Sequence, residues 1–233
     1  EMDMEMELGV EGDVCRTAVL AAAGRTPRGR GTQRLLQLEA HELPLHIDLR
    51  GPASAFDGCA LKRTATNTVV GDGDENAALM VIGEAPGAEE DRQGLPFVGP
   101  AGQLLDRMLA AIGLERQSVY ISNILPWRPP GNRSPTAEEI ALCQPFIERQ
   151  ISLVRPRVLM LVGGISTKSL LGEKQGITRL RGNWREVTAA GLAEPIATMA
   201  TFHPAYLLRQ PSAKREVWRD LLALRKKLDE LGA

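Results

Sequence analysis

Three features predict a three-layer α/β/α sandwich with a central, mostly parallel four-stranded sheet. Apolar runs at 78–83, 119–124, 158–162 and 196–200 are each the length of one buried strand. A stretch with helical apolar spacing follows each run. Glycine or proline punctuates the junctions. Strands that alternate with helices pair in parallel, because a parallel connection must cross back over the sheet. Such sheets bind ligands outside the carboxyl ends of their strands, so the loops after the four runs are the expected place for chemistry.

The elements justify themselves in order. Val69-Val70 followed by Gly71-Asp72-Gly73 reads as a short extended piece ending in a turn. The first confident strand, 78–83, breaks at Gly83, Pro86 and Gly87 and leaves Glu84 between a buried strand and a Pro-Gly turn. The plain alternative is a βα turn with a solvated glutamate. Leu104, Leu105, Met108, Leu109 and Ile112 then give a helix over about 101–112, stopped by Gly113. The second strand carries Asn123 near its end. Pro126, Pro129, Pro130 and Pro135 exclude regular structure after it. Thr136 and Glu139 form a capping box for a helix to about 154. The third strand ends in Gly163-Gly164, and Ser166 and Thr167 open a short helix ending near Gly172. Residues 176–186 read as turn-rich. The fourth strand delivers Phe202-His203-Pro204-Ala205, and an amphipathic basic helix covers about 213–230. Glu84, Asn123, Gly163-Gly164 and His203 therefore share one sheet edge.

The chain has 233 residues, 43% of them hydrophobic and 24% charged, which suits one sizeable domain with an extension. Residues 1–55 read as an N-terminal extension, partly disordered or in short helices at 19–23 and 35–40, and 56–233 as the domain that carries the motifs. No apolar run approaches a membrane span, and the acidic start lacks an apolar secretory segment. Cys15, Cys59 and Cys143 are too widely spaced for a disulfide framework, so free thiols and a cytoplasmic location are expected. His41 and His46 flank Pro44 and read as structural or solvated. Net charge is −1, but residues 1–13 hold six acidic side chains and no basic one. Without them 28 basic residues face 23 acidic ones, a balance of +5 that permits a basic face. Neither Gly-x-Gly-x-x-Gly nor Gly-x-x-x-x-Gly-Lys-Ser/Thr occurs, which ranks a nucleotide-binding Rossmann-like domain last.

Five stretches together resemble the family 4 uracil-DNA glycosylases: Gly-Glu-Ala-Pro-Gly at 83–87, Gly-Leu-Pro-Phe-Val-Gly at 94–99, Asn123 in its strand, Arg-Pro-Pro-Gly-Asn-Arg at 128–133, and Phe-His-Pro-Ala at 202–205. The resemblance covers about 56–228. It implies excision of uracil from DNA, after the nucleotide leaves the base stack. It implies that Phe97 stacks on the base and that Asn123 reads its pairing edge, donating to O4 and accepting from N3–H. Backbone N–H groups around Glu84 and Ala85 would bind O2. His203 would donate toward O2 as charge develops there. Glu84 would position or activate water, or stabilise the oxocarbenium-like sugar. Pro86, Gly87, Arg128, Arg133, Ser166 and Arg209 are expected at the DNA, with Leu207 and Leu208 as a wedge. The residues alone leave alternatives open: Phe97 as core, Leu207 and Leu208 as a packing face, the arginines as solvated charges. The expected partner is uracil-containing DNA, single- or double-stranded, with no membrane role and a monomeric protein. A non-catalytic reader of uracil or abasic DNA, or a glycosylase for another deaminated base, are the alternative functions.

Two departures from the pattern matter. The Asp and Tyr of the family 1 box fall at Ala85 and Gly87. The resemblance also implies a four-cysteine iron–sulfur cluster, but its ligand positions here read Phe56, Cys59, Trp127 and Cys143. The expectation is therefore a protein without metal, with aromatic packing in the cluster's volume.

Overall fold

The computed structural model describes residue 53 and residues 56–189 and 192–233. Expectations for Cys15, His41, His46 and the helices at 19–23 and 35–40 lie outside the described residues. Six strands form one sheet: β1 (Gly71–Gly73), β2 (Leu79–Gly83), β3 (Tyr120–Asn123), β4 (Val158–Val162), β5 (Trp184–Val187) and β6 (Ile196–Thr201). Their order across the sheet is β1-β3-β2-β4-β6-β5. The four central strands are parallel and are the four expected from the apolar runs. The expected four-stranded sheet is thus corrected to six, because β1 and β5 add antiparallel edges. Edge strands have one partner and need no continuous apolar run. β1 is the Gly71-Asp72-Gly73 expected as the turn after Val69-Val70, and β5 exposes Arg185 and Glu186 within the stretch read as turns.

Seven α-helices are described: α1 (Ala88–Gln93), α2 (Pro100–Ala110), α3 (Ala137–Val154), α4 (Gly164–Leu171), α5 (Ile177–Leu180), α6 (Pro204–Arg209) and α7 (Lys214–Glu230). α1 sits inside the stretch read from sequence as a loop, and α5 with β5 fills the stretch read as turns. Thr136 caps α3 by accepting from the Glu139 N–H at 3.2 Å, as the capping box requires.

Alternation along each strand splits the core in two. Leu79, Val81, Ile121, Met160 and Met199 point to one face, against Leu105 and Leu109 of α2 and Leu221 and Leu224 of α7. Met80, Ile82, Leu159 and Leu161 point to the other, against Ile147 and Ile151 of α3. These are the three layers. Burying each such side chain contributes about 1.5–3 kcal/mol, so both faces fix the strand register. Asp220 adds a polar tie: its carboxylate accepts from the Thr201 hydroxyl at 2.7 Å and from Arg181 Nε at 3.1 Å, holding α7 to the end of β6.

Candidate active site at the carboxyl edge of the sheet

Register brings the special residues together. Gly83 lies beside Asn123 across β2 and β3, and Val162 beside Thr201 across β4 and β6. Glu84 and His203 therefore leave the sheet at the same edge. They open onto a cavity of about 450 Å³ also lined by Ala85, Pro86, Gly87, Glu90, Phe97, Asn123, Arg133, Tyr206 and Arg209. Among the residues singled out from sequence, Arg128, Ser166, Leu207 and Leu208 do not line it.

Close backbone approach shapes the slot. A Cβ on Gly83 would lie 2.4 Å from Asn123 Oδ1 and 2.6 Å from the Phe97 ring, so glycine alone fits there. Phe97 adopts a left-handed φ of 51°, which bulky residues rarely take. Arg116 holds that conformation. It donates to the Phe97 carbonyl at 3.1 Å and to the Pro96 carbonyl at 2.6 Å, and it pairs with Asp72 and Asp106. The Phe97 ring stacks near His203, with centroids 5.5 Å apart and planes 30° apart.

Glu90 is the second organiser. Its carboxylate accepts from the N–H groups of Gly87 at 3.1 Å, Val98 at 3.0 Å and Gly99 at 2.8 Å, stapling both loop segments. Its Oε2 lies 2.7 Å from where a Cβ on Gly87 would stand, so a carboxylate occupies the space a side chain at position 87 would enter. Sequence reasoning missed Glu90, Arg116 and Tyr206. The Gly87-x-x-Glu90 spacing is that of a capping box with glycine at the cap and could have revealed Glu90. Arg116 carries no local signal.

The polar groups have a definite state. His203 caps α6, its Nδ1 accepting from the Ala205 N–H at 3.1 Å. Burial, reinforced by the positive charge of Arg209, holds its pKa down to about 4. The ring is thus neutral at ordinary pH, with its proton on Nε2 as a donor. Burial raises the pKa of the half-buried Glu84 carboxyl. Asn123 is buried, and its Oδ1 has no hydrogen-bond partner among the described residues. An orphaned buried acceptor is costly, and here it borders the cavity. A flat heterocycle with an N–H edge and a carbonyl would satisfy both Asn123 and His203.

Several expected DNA contacts are placed differently. Ser166 is fully buried and its hydroxyl donates back to the Val162 and Gly163 carbonyls, as a helix-start serine does, so its side chain is not offered to a phosphate. Leu207 is 1% exposed and belongs to the core beneath α6, so it is no wedge, whereas Leu208 is exposed. Arg128 donates to Asn132 at 2.7 Å, and Arg133 forks onto Glu139 at 2.8 and 2.6 Å.

The expected cluster positions form a separate aromatic–thiol cluster. Phe56, Trp127 and Phe146 pack together, with ring centroids 6.3 Å apart for Phe56–Trp127 and 5.3 Å for Phe56–Phe146. Cys59 and Cys143 are buried free thiols whose titrations influence each other. That influence lowers the pKa of Cys59 and raises that of Cys143. A four-thiolate cluster does not fit this donor set: the described residues supply two thiols, and Phe56 and Trp127 cannot ligate. Among the described residues, no group of three or more His, Cys, Asp or Glu is placed to hold a metal ion. Nor is any described helix long and apolar enough to cross a membrane.

Comparison with known proteins agrees with this geometry. The sequence pattern of the Uracil DNA glycosylase superfamily matches residues 70–222. A type-4 uracil-DNA glycosylase of Archaeoglobus fulgidus is 41% identical over 177 residues, covering 74% of this chain and 86% of that protein. A type-4 uracil-DNA glycosylase of Thermotoga maritima is 42% identical over 155 residues, covering 66% and 78%. A type-5 uracil-DNA glycosylase of Pyrobaculum aerophilum is 33% identical over 150 residues, covering 58% and 64%. With its loops converging on one edge of a parallel sheet, and with these relatives spanning most of its length, the chain belongs to the uracil DNA glycosylase superfamily.

Proposed function

We propose that the chain is a monofunctional uracil-DNA glycosylase of base excision repair, working as a cytoplasmic monomer on single- or double-stranded DNA and leaving an abasic site. The observation that carries this reading is the orphaned Asn123 Oδ1, buried beside Phe97 and a neutral His203. Uracil offers N3–H to Oδ1 and O4 to the amide N–H, whereas cytosine presents the reverse pattern. Phe97 stacks on the flipped base, and Glu90 walls the slot beside Gly87. As the bond between C1′ and N1 breaks, its electron pair passes into the uracil ring. His203 Nε2–H then donates to O2, where the charge accumulates. Backbone N–H groups around Glu84 and Ala85 assist at O2. A water oxygen bonds to C1′ and its proton passes to Glu84, whose raised pKa suits a base. Pro86, Gly87 and the guanidinium groups of Arg128, Arg133 and Arg209 meet the DNA backbone.

The function needs no iron–sulfur cluster in this reading, and the aromatic–thiol cluster replaces it. Residues 56–233 form the catalytic domain and 1–55 an extension. The test is a labelled uracil oligonucleotide incubated with the protein and then cleaved by alkali at abasic sites. Product from the uracil strand alone is expected. Absence of product would favour a non-catalytic reader, and product from another deaminated base would redirect the substrate.

A further inference from the structure

We propose that Tyr206 is the positioning residue that enters the base stack and keeps the extruded nucleotide out. This deepens the glycosylase reading and rests on it. An enzyme that extrudes a base must keep the gap from closing. The sequence offered Leu207 and Leu208 for that role, but Leu207 is 1% exposed and packed into the core. Leu208 is exposed at 43% but does not line the cavity. Tyr206 meets both requirements: it is 37% exposed and it lines the cavity.

Its surroundings suit insertion. Tyr206 follows His203 by one helical turn, its N–H donating to the His203 carbonyl at 2.9 Å. Residues three apart share a helix face, so the ring that fills the gap stands beside the imidazole that meets the base. Arg209 is one further turn along the same face, also lines the cavity, and offers a cation to a flanking phosphate. The Tyr206 ring rests on Phe202, with centroids 4.9 Å apart and a 43° tilt. Phe202 is buried, and the Arg181 guanidinium lies 5.4 Å from its ring centroid. Arg181 is itself anchored to Asp220 and Glu216. The chain of contacts gives the tyrosine a rigid backing, which limits the rotamer freedom lost when it stacks on a base.

The experiment is single-turnover excision by full-length protein from the same uracil sequence as a single strand and as a duplex. Only the duplex has a partner base and an intact stack to hold open. Tyr206→Ala and Tyr206→Gln should each lower the duplex rate about tenfold more than the single-strand rate, the scale of losing one aromatic–base stack. Tyr206→Phe should keep the wild-type ratio of the two rates, because the ring and not the hydroxyl does the filling. A loss in Tyr206→Ala and Tyr206→Gln that is equal on both substrates overturns the proposal, as does a duplex-specific loss carried by Leu208→Ala instead. Wild-type protein inert on both substrates overturns the glycosylase reading and this proposal with it.

Discussion

The cavity edge and the aromatic–thiol cluster follow opposite rules. At the cavity, polar groups stand incompletely partnered: Asn123 Oδ1 is buried and unsatisfied, the half-buried Glu84 carboxyl titrates high, and Phe97 sits at positive φ. In the cluster, polar groups are satisfied and rings pack. Trp127 is 1% exposed, and its Nε1 donates to Thr68 at 3.1 Å. Cys59 and Cys143 are free thiols buried beside those rings. The first region spends stability on readiness for a ligand, while the second holds loops together. Damage to each should therefore show in a different measurement.

The largest effect is expected in the cluster. Trp127→Ala should destabilise the fold by about 3–5 kcal/mol, the cost of removing a buried aromatic, and by more than Cys59→Ser does, read from denaturant midpoints. Purified protein should be colourless, and iron chelators should leave excision unchanged. Stoichiometric iron with broad visible absorbance would erase the distinction between the two regions.

Next comes the proposed catalytic donor. His203→Ala should lower single-turnover excision by about 2.7–4 kcal/mol of transition-state stabilisation. Its loss as a helix cap should cost only about 1 kcal/mol of stability. Equal losses in rate and stability would make His203 a structural residue like those of the cluster.

Asn123→Asp should change the rate less and should weaken the discrimination between uracil and cytosine. A carboxylate keeps the acceptor for N3–H but loses the donor for O4, a difference of about 1–3 kcal/mol for an unpaired buried polar group. Competition between uracil and cytosine oligonucleotides reads it. Unchanged uracil excision with cytosine still ignored would remove Asn123 from base reading.

The pH profile should show the smallest effect. If Glu84 is the proposed base it must be ionised, so activity should fall as pH drops through its raised pKa, placing the acid limb above the ordinary glutamate value of about 4.3. His203, the proposed neutral donor, has its pKa held down to about 4 and should add no limb above that. Glu84→Gln should remove the limb from the pH profile of whatever activity remains. A limb that persists in Glu84→Gln would assign it to another group.

The central strands were legible because each is an apolar run long enough to be buried on both faces, and β4 matches its expected limits at both ends. Glu84, Asn123 and His203 were legible as a set, because parallel strands put their carboxyl ends on one edge whatever the order of the strands. The edges β1 and β5 were not, since pairing with β3 and β6 gives them a structure that their residues do not announce. α1 was hidden among glycines and charges.

The sequence by itself determined the layers, the sheet edge that gathers Glu84, Asn123 and His203, and the aromatics at positions 56 and 127, because these follow from local periodicity and residue type. Only the tertiary structure decided that Arg116 and Glu90 lock the Phe97 loop, that Ser166 and Leu207 turn inward, and that Phe56, Trp127 and Phe146 meet. Those outcomes depend on contacts between residues distant in the chain. They also depend on helix rotation, where neighbours such as Leu207 and Leu208 point about 100° apart and one is buried while the other meets solvent.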